Sequence, residues 1–109
     1  MKLDYQKLDG IVPVVIQDAQ TQAVLMLGFM NEQALQETLK RQRVVFWSRS
    51  KQRLWEKGEE SGNTLAVVDI STDCDNDSLL IQVTPAGPIC HTGNVSCFSP
   101  KNSPVPDKL

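Results

Sequence analysis

The segment TPAGPICHTGNVSCFSP, residues 84–100, constrains the fold of this chain more than any other stretch. Its three prolines and two glycines leave neither the period of a helix nor that of a strand, so its backbone polar groups need partners outside a regular ladder. The same segment gathers two of the three cysteines, Cys90 and Cys97, and the only histidine, His91. Thiolate and imidazole are the ligands zinc prefers, and a metal is one way to hold an aperiodic loop.

A chain of 109 residues makes one domain, and a domain this small is marginal unless a metal or a partner chain helps. Eleven basic against thirteen acidic side chains give a net charge of -2, which argues against a polyanion-binding surface, so nucleic acid is not an expected partner. The opening MKLDYQKLDG lacks the apolar run of a secretory signal, and no stretch approaches the roughly 20 apolar residues of a membrane helix. The expectation is a cytoplasmic protein with no membrane partner. Three cysteines cannot all pair within one chain, and a disulfide framework is not expected.

IVPVVI (11–16) and AVLML (23–27) read as two strands of a hairpin. NEQALQETLKRQR follows, with Asn31 placed as a cap, Ala34, Leu35, Thr38 and Leu39 on one face, and Lys40, Arg41 and Arg43 near the end, predicting a helix over about 31–41. VVFW (44–47), LAVVDI (65–70) and LLIQV (79–83) read as further strands, broken by Gly58, Gly62 and Asn63. From Thr84 onward the chain is expected to be loop. The fold class is α+β: a small, mostly antiparallel β-sheet domain with one main helix, residues 1–98, followed by a flexible tail, 99–109.

Cys74, Cys90 and Cys97 together offer the three protein ligands of a catalytic zinc whose fourth position is left to water. Their spacing, with fifteen and six residues between successive cysteines, lacks a paired CxxC signature, and three buried small hydrophobes is the competing reading. His91 would be a fourth ligand closing the site or an acid/base beside an open one. Three thiolates leave the zinc centre negative, so its water is less acidified than on a neutral-ligand site and a neighbouring base is needed.

TDCDND sets Asp73, Asp75 and Asp77 at alternate positions, so an extended backbone would line the carboxylates on one face and turn Cys74 to the other. Carboxylate oxygens suit magnesium, the thiolate suits zinc; an acidic turn without a metal is the alternative. FWSRSKQRLWEKGEESGN interleaves Trp47 and Trp55 with Arg49, Lys51, Arg53 and Lys57 and ends in a glycine turn, a composition that fits phosphate esters. Trp47, Ser48, Arg49, Ser50, Lys57, Ser61 and Asn63 are the substrate-binding candidates, set against a solvated basic hairpin with its tryptophans in the core.

Taken in order, PVVIQDAQT, VLMLGFMNEQAL, FWSRSKQRLWEKGEESGN, VVDISTDCDND and PAGPICHTGNVSCF resemble the phosphoribosyl-AMP cyclohydrolases of histidine biosynthesis, from Ile11 to Phe98. The resemblance implies magnesium on Asp73, Asp75 and Asp77, one zinc per chain on Cys74, Cys90 and Cys97, and His91 as the acid/base. It also implies an intertwined homodimer whose zinc site draws on both chains. The implied reaction is hydrolytic opening of the N1–C6 bond of the adenine ring of phosphoribosyl-AMP, giving the phosphoribosylformimino-AICAR phosphate intermediate. Val95, where relatives often carry a basic residue, and Glu60, where threonine is expected, depart from the family pattern. A zinc deaminase would attack the same type of carbon, but its H-x-E and P-C-x-x-C signatures are missing. A non-enzymatic zinc module would need His91 as a fourth ligand.

Overall fold

The computed structural model describes residues 2–90, 92–99 and 104–105. In chain order the elements are β1 (Val12–Asp18), β2 (Val24–Met30), α1 (Glu32–Arg41), β3 (Val45–Ser48), β4 (Arg53–Glu56), β5 (Leu65–Thr72) and β6 (Leu79–Pro85). Four strands form one sheet in the order β2-β1-β6-β5, and β3 pairs with β4 in a separate hairpin. β1 runs antiparallel to β2 and β5 to β6, whereas β1 and β6 are parallel. The α+β class with a mostly antiparallel sheet and one helix is therefore observed.

β1 alternates buried and half-buried residues, and Val12, Val14 and Ile16 lie wholly inside. This period of two puts one face of the sheet on the core. Pro13 has no N–H to give a ladder, and β6 pairs only from Val14 onward, so the proline sits outside the parallel register. Phe46 of β3 closes the core against Gly28 of β2, beside Trp55 at a ring-centroid distance of 5.1 Å. Burying a side chain such as Phe46 contributes up to about 1.5–3 kcal/mol.

Asn31 caps α1, its side-chain oxygen accepting from the Ala34 N–H at 2.8 Å. The helix ends at Gln42, whose left-handed backbone lets its N–H donate to the Thr38 carbonyl. Ala34, Leu35 and Thr38 are buried, but Leu39 is 49% exposed, against the sequence expectation. Thr38 takes the place at β3 that would have gone to a neighbouring side chain: its hydroxyl accepts from the Val45 N–H at 3.0 Å and lies 2.9 Å from the Ala34 carbonyl.

The basic stretch takes the form of the alternative reading, a hairpin in which Phe46↔Trp55 and Trp47↔Leu54 pair β4 to β3 and both tryptophans pack against the core. One further expectation changes. The loop expected from Thr84 begins later, since Thr84 and Pro85 pair with Ala66 and Leu65.

Candidate functional site

Asp73–Ser78 is the turn between β5 and β6, so the acidic turn, and not the extended backbone weighed against it, is the conformation adopted. Asn76 adopts φ 60°, and Asp73 folds back over the turn, accepting from the N–H groups of Asp77 at 3.0 Å and Ser78 at 3.2 Å and from the Ser78 hydroxyl at 2.6 Å. The turn still brings the carboxylates together: oxygen atoms of Asp73, Asp75 and Asp77 lie within 4.8 Å of one another. This donor set, hard oxygens at short mutual range, fits a magnesium ion.

The electrostatics of the three are unequal. The Ser78 hydroxyl, with the N–H groups of Asp77 and Ser78, holds Asp73 far below the usual carboxylate range. Lys7 pulls Asp77 down, but the hydrogen-bonded neighbours Asp73 and Asp75 outweigh it and Asp77 is raised. Two carboxylates beside a third cannot all ionise cheaply. The Lys7 ammonium, 2.9 Å from Asp77 Oδ2 and 3.0 Å from Asp75 Oδ2, is itself pushed above its ordinary value by those two contacts. Sequence reasoning had no signal for Lys7, which lies 68 residues before Asp75.

The cysteine segment is built differently. The Gly93 N–H donates to the Cys90 carbonyl at 2.9 Å and the Cys90 N–H to the Asn94 carbonyl at 3.1 Å, a tight turn in which Gly93 takes φ 89°. The chain then docks on the outer edge of β2, with the Ser96 hydroxyl donating to the Val24 carbonyl at 2.7 Å and the Cys97 N–H to the Leu25 carbonyl at 2.8 Å. These bonds supply the partners that the aperiodic sequence required.

Cys90 and Cys97 interact through their thiols and are both half-buried. The Thr92 hydroxyl donates to Cys90 Sγ at 3.1 Å and, with the Thr92 backbone, lowers the Cys90 pKa; burial raises that of Cys97. A threonine two residues after a cysteine was the unread signal for this contact. A thiol biased towards thiolate next to a second thiol fits zinc.

Cys74 is exposed and stands apart. Its turn adjoins Leu79, the partner of Val14, whereas Cys97 is tied to Leu25, beside the Val24↔Gln17 pair, and Gln17 is level with Gln82. Three residues along β6 and two strand spacings across the sheet separate those points, roughly 10 Å in each direction. Among the described residues the one cluster with metal-ligand spacing is the aspartate triplet, so the three thiols do not meet within one protomer. His91 lies outside the described residues.

Between the β3–β4 hairpin and the following turn lies a cavity of about 410 Å³, whose walls mix Lys51, Arg53 and Lys57 with Glu56, Glu59 and Glu60 and include Ser48, Trp55 and Ser61. The positive charge of Lys57 favours the thiolate of both Cys90 and Cys97, although burial still leaves Cys97 raised. Arg53 is held by Glu59 at 3.1 Å. Trp47, Arg49 and Ser50 line a neighbouring groove with Ser48, where the Arg49 guanidinium sits 3.9 Å from the Phe29 ring centroid. Asn63 binds elsewhere, donating to the Pro88 carbonyl at 3.1 Å and tying the glycine turn to the cysteine segment. The structure thus gathers Ser48, Lys57 and Ser61 in one cavity and sets the other candidates beside it. Lys51, Arg53 and Trp55 join them there.

The protein is thus a small α+β domain with paired thiols, a carboxylate cluster that could hold a metal ion and a polar cavity of mixed charge. The family model described as phosphoribosyl-AMP cyclohydrolase matches residues 26–99, and the chain belongs to that enzyme family. The histidine biosynthesis bifunctional protein HisIE of Campylobacter jejuni is 62% identical over 97 residues, covering 89% of this chain and 47% of that protein. The protein of the same name from Bacteroides thetaiotaomicron is 59% identical over 102 residues, covering 94% and 50%. That of Haemophilus influenzae is 58% identical over 103 residues, covering 94% and 47%. The chain spans about half the length of these relatives.

Proposed function

We propose that this chain opens the adenine ring of phosphoribosyl-AMP by hydrolysis of its N1–C6 bond, a step of histidine biosynthesis in the cytoplasm. The observation that carries the reading is the Cys90–Cys97 thiol pair, whose segment Asn63 ties through the Pro88 carbonyl to the turn that walls the cavity, in a chain matched by the family over residues 26–99. Residues 1–98 form the working unit and 99–109 its tail. No described helix is long and apolar enough to cross a membrane.

Cys74, Cys90 and Cys97 would hold zinc, which when bound would supply Lewis-acid chemistry for hydrolysis at C6. Thr92 keeps Cys90 ready to bind as thiolate. His91, next to Cys90 in the chain, accepts the proton from water and returns one to N1 as the ring opens. Lys57, Lys51 and Ser61 line the cavity where the phosphates sit, and Trp55 offers an aromatic face to the base. Asp73, Asp75 and Asp77 would hold magnesium, whose charge would serve to orient the substrate or offset its phosphates.

The separation of Cys74 from the other two thiols supports a homodimer in which one chain gives Cys74 and its partner Cys90 and Cys97. Val24, Val95 and Phe98, all adjoining the docked Ser96–Cys97 segment, are 45%, 64% and 59% exposed, an apolar surface a second copy would cover. The test is incubation of purified protein with phosphoribosyl-AMP, following the ultraviolet spectrum and assaying ammonia. Ring opening changes the spectrum without ammonia. Ammonia release would identify a deaminase, and an unchanged spectrum with zinc and magnesium present would reject the reading.

A further inference from the structure

We infer that Lys7 is a tethered counter-ion of the aspartate turn that competes with a divalent cation binding there. The inference rests on the reading that Asp73, Asp75 and Asp77 hold such a cation. Lys7 Nζ bridges Asp75 Oδ2 and Asp77 Oδ2 at 3.0 and 2.9 Å, occupying oxygens that a magnesium ion would need at about 2.1 Å. An ammonium and a dication on the same two carboxylates repel each other, so each weakens the other's hold.

The amino-terminal segment is arranged to deliver this charge. The Asp4 N–H donates to the Asn76 carbonyl at 2.7 Å, inside the turn itself. Leu3 and Tyr5 pack against the core, and the Gly10 N–H donates to the Tyr5 carbonyl at 2.6 Å, closing the segment on itself. Lys7 therefore hangs from a docked strap, and its side chain is half exposed, so it can swing into solvent without unfolding. The strap offsets part of the charge of the crowded carboxylates when no dication is bound, and it raises the cation concentration needed to fill the site.

The test uses zinc-loaded full-length protein titrated with Mn2+ by electron paramagnetic resonance, and with Mg2+ by calorimetry. Lys7→Met should bind Mn2+ about threefold to tenfold more tightly than the unaltered protein, the scale expected for releasing two exposed ion pairs. Lys40→Met removes the same charge from the last turn of α1, away from the aspartates, and should change affinity by less than about twofold. In unaltered protein, brief acetylation read by mass spectrometry should label Lys7 severalfold faster once Mg2+ is added. Equal affinities for Lys7→Met and unaltered protein, equal gains for both lysine variants, or Lys7 labelling indifferent to Mg2+ would each overturn the competition. No Mn2+ binding by either protein, or binding unaffected by Asp75→Asn, would reject the aspartate site itself and this inference with it.

Discussion

The Cys97 N–H donates to the Leu25 carbonyl at 2.8 Å, and this bond fixes where the second half of the thiol set can be. Leu25 lies on the outer strand, two strands from β6, while Cys74 sits in the turn that leads into β6 from its far end. A zinc site using all three cysteines must therefore combine one protomer's turn with another protomer's loop.

The two neighbouring thiols should be separable by reactivity. In zinc-free protein, Cys90 is lowered by Thr92 and Cys97 raised by burial, so iodoacetamide should modify Cys90 at a pH below that of an ordinary thiol and Cys97 only above it. Peptide mapping of alkylated protein across a pH series reads the order directly. Thr92→Val should move Cys90 upward and narrow the gap.

Thr38→Val should cost about 1–3 kcal/mol, because the buried Val45 N–H loses its acceptor while the volume is kept. Thr38→Ser should retain most of the stability. Urea denaturation of the three proteins compares them, and a valine variant as stable as the parent would mean that the amide had found another partner.

Gly28→Ala should destabilise by about 1–3 kcal/mol through overpacking. A Cβ there would stand 2.6 Å from Phe46 Cε1, so the ring must move. Phe46→Leu, itself destabilising, should make the same alanine less costly, and a double-mutant cycle by thermal or urea denaturation would show the coupling.

His91→Ala should retain zinc and fold yet lose about 10²-fold or more in turnover, the usual contribution of a general acid/base. The pH profile should lose the limb that the imidazole supplies. Loss of zinc together with activity would make His91 a ligand.

Much of this was legible because it is local. The Asn31 cap and its bond to Ala34 lie three residues apart, and the alternation of β1 gives its buried face directly. Cys90 and Cys97 could be paired on residue type alone, and the carboxylates of TDCDND did converge, although by a turn that folds around Asp73. What was hidden depends on distance along the chain. The parallel pairing of β1 with β6 joins Gln17 to Gln82, 65 residues away, through a side-chain bond of 3.1 Å, and no local pattern encodes it. Lys7 reaches the aspartates in the same non-local way. Leu39 was misread because a single helical face covers more positions than its neighbours can bury, and β3 stops at the Thr38 side of that face.

The shared zinc site is tested most directly by complementation between Cys74→Ser and Cys90→Ser proteins. Each is expected to be inactive towards phosphoribosyl-AMP alone. A mixed dimer with Cys74 from one chain and Cys90 and Cys97 from the other would carry both lesions in one site and leave the second whole. After equimolar co-refolding with zinc, turnover should return to about a quarter of the unaltered protein, since roughly half the dimers are mixed and each has one intact site of two. Size-exclusion chromatography establishes that dimers form. Dimers present with no recovered turnover, while unaltered protein refolded alongside is active, would contradict a site built from two chains.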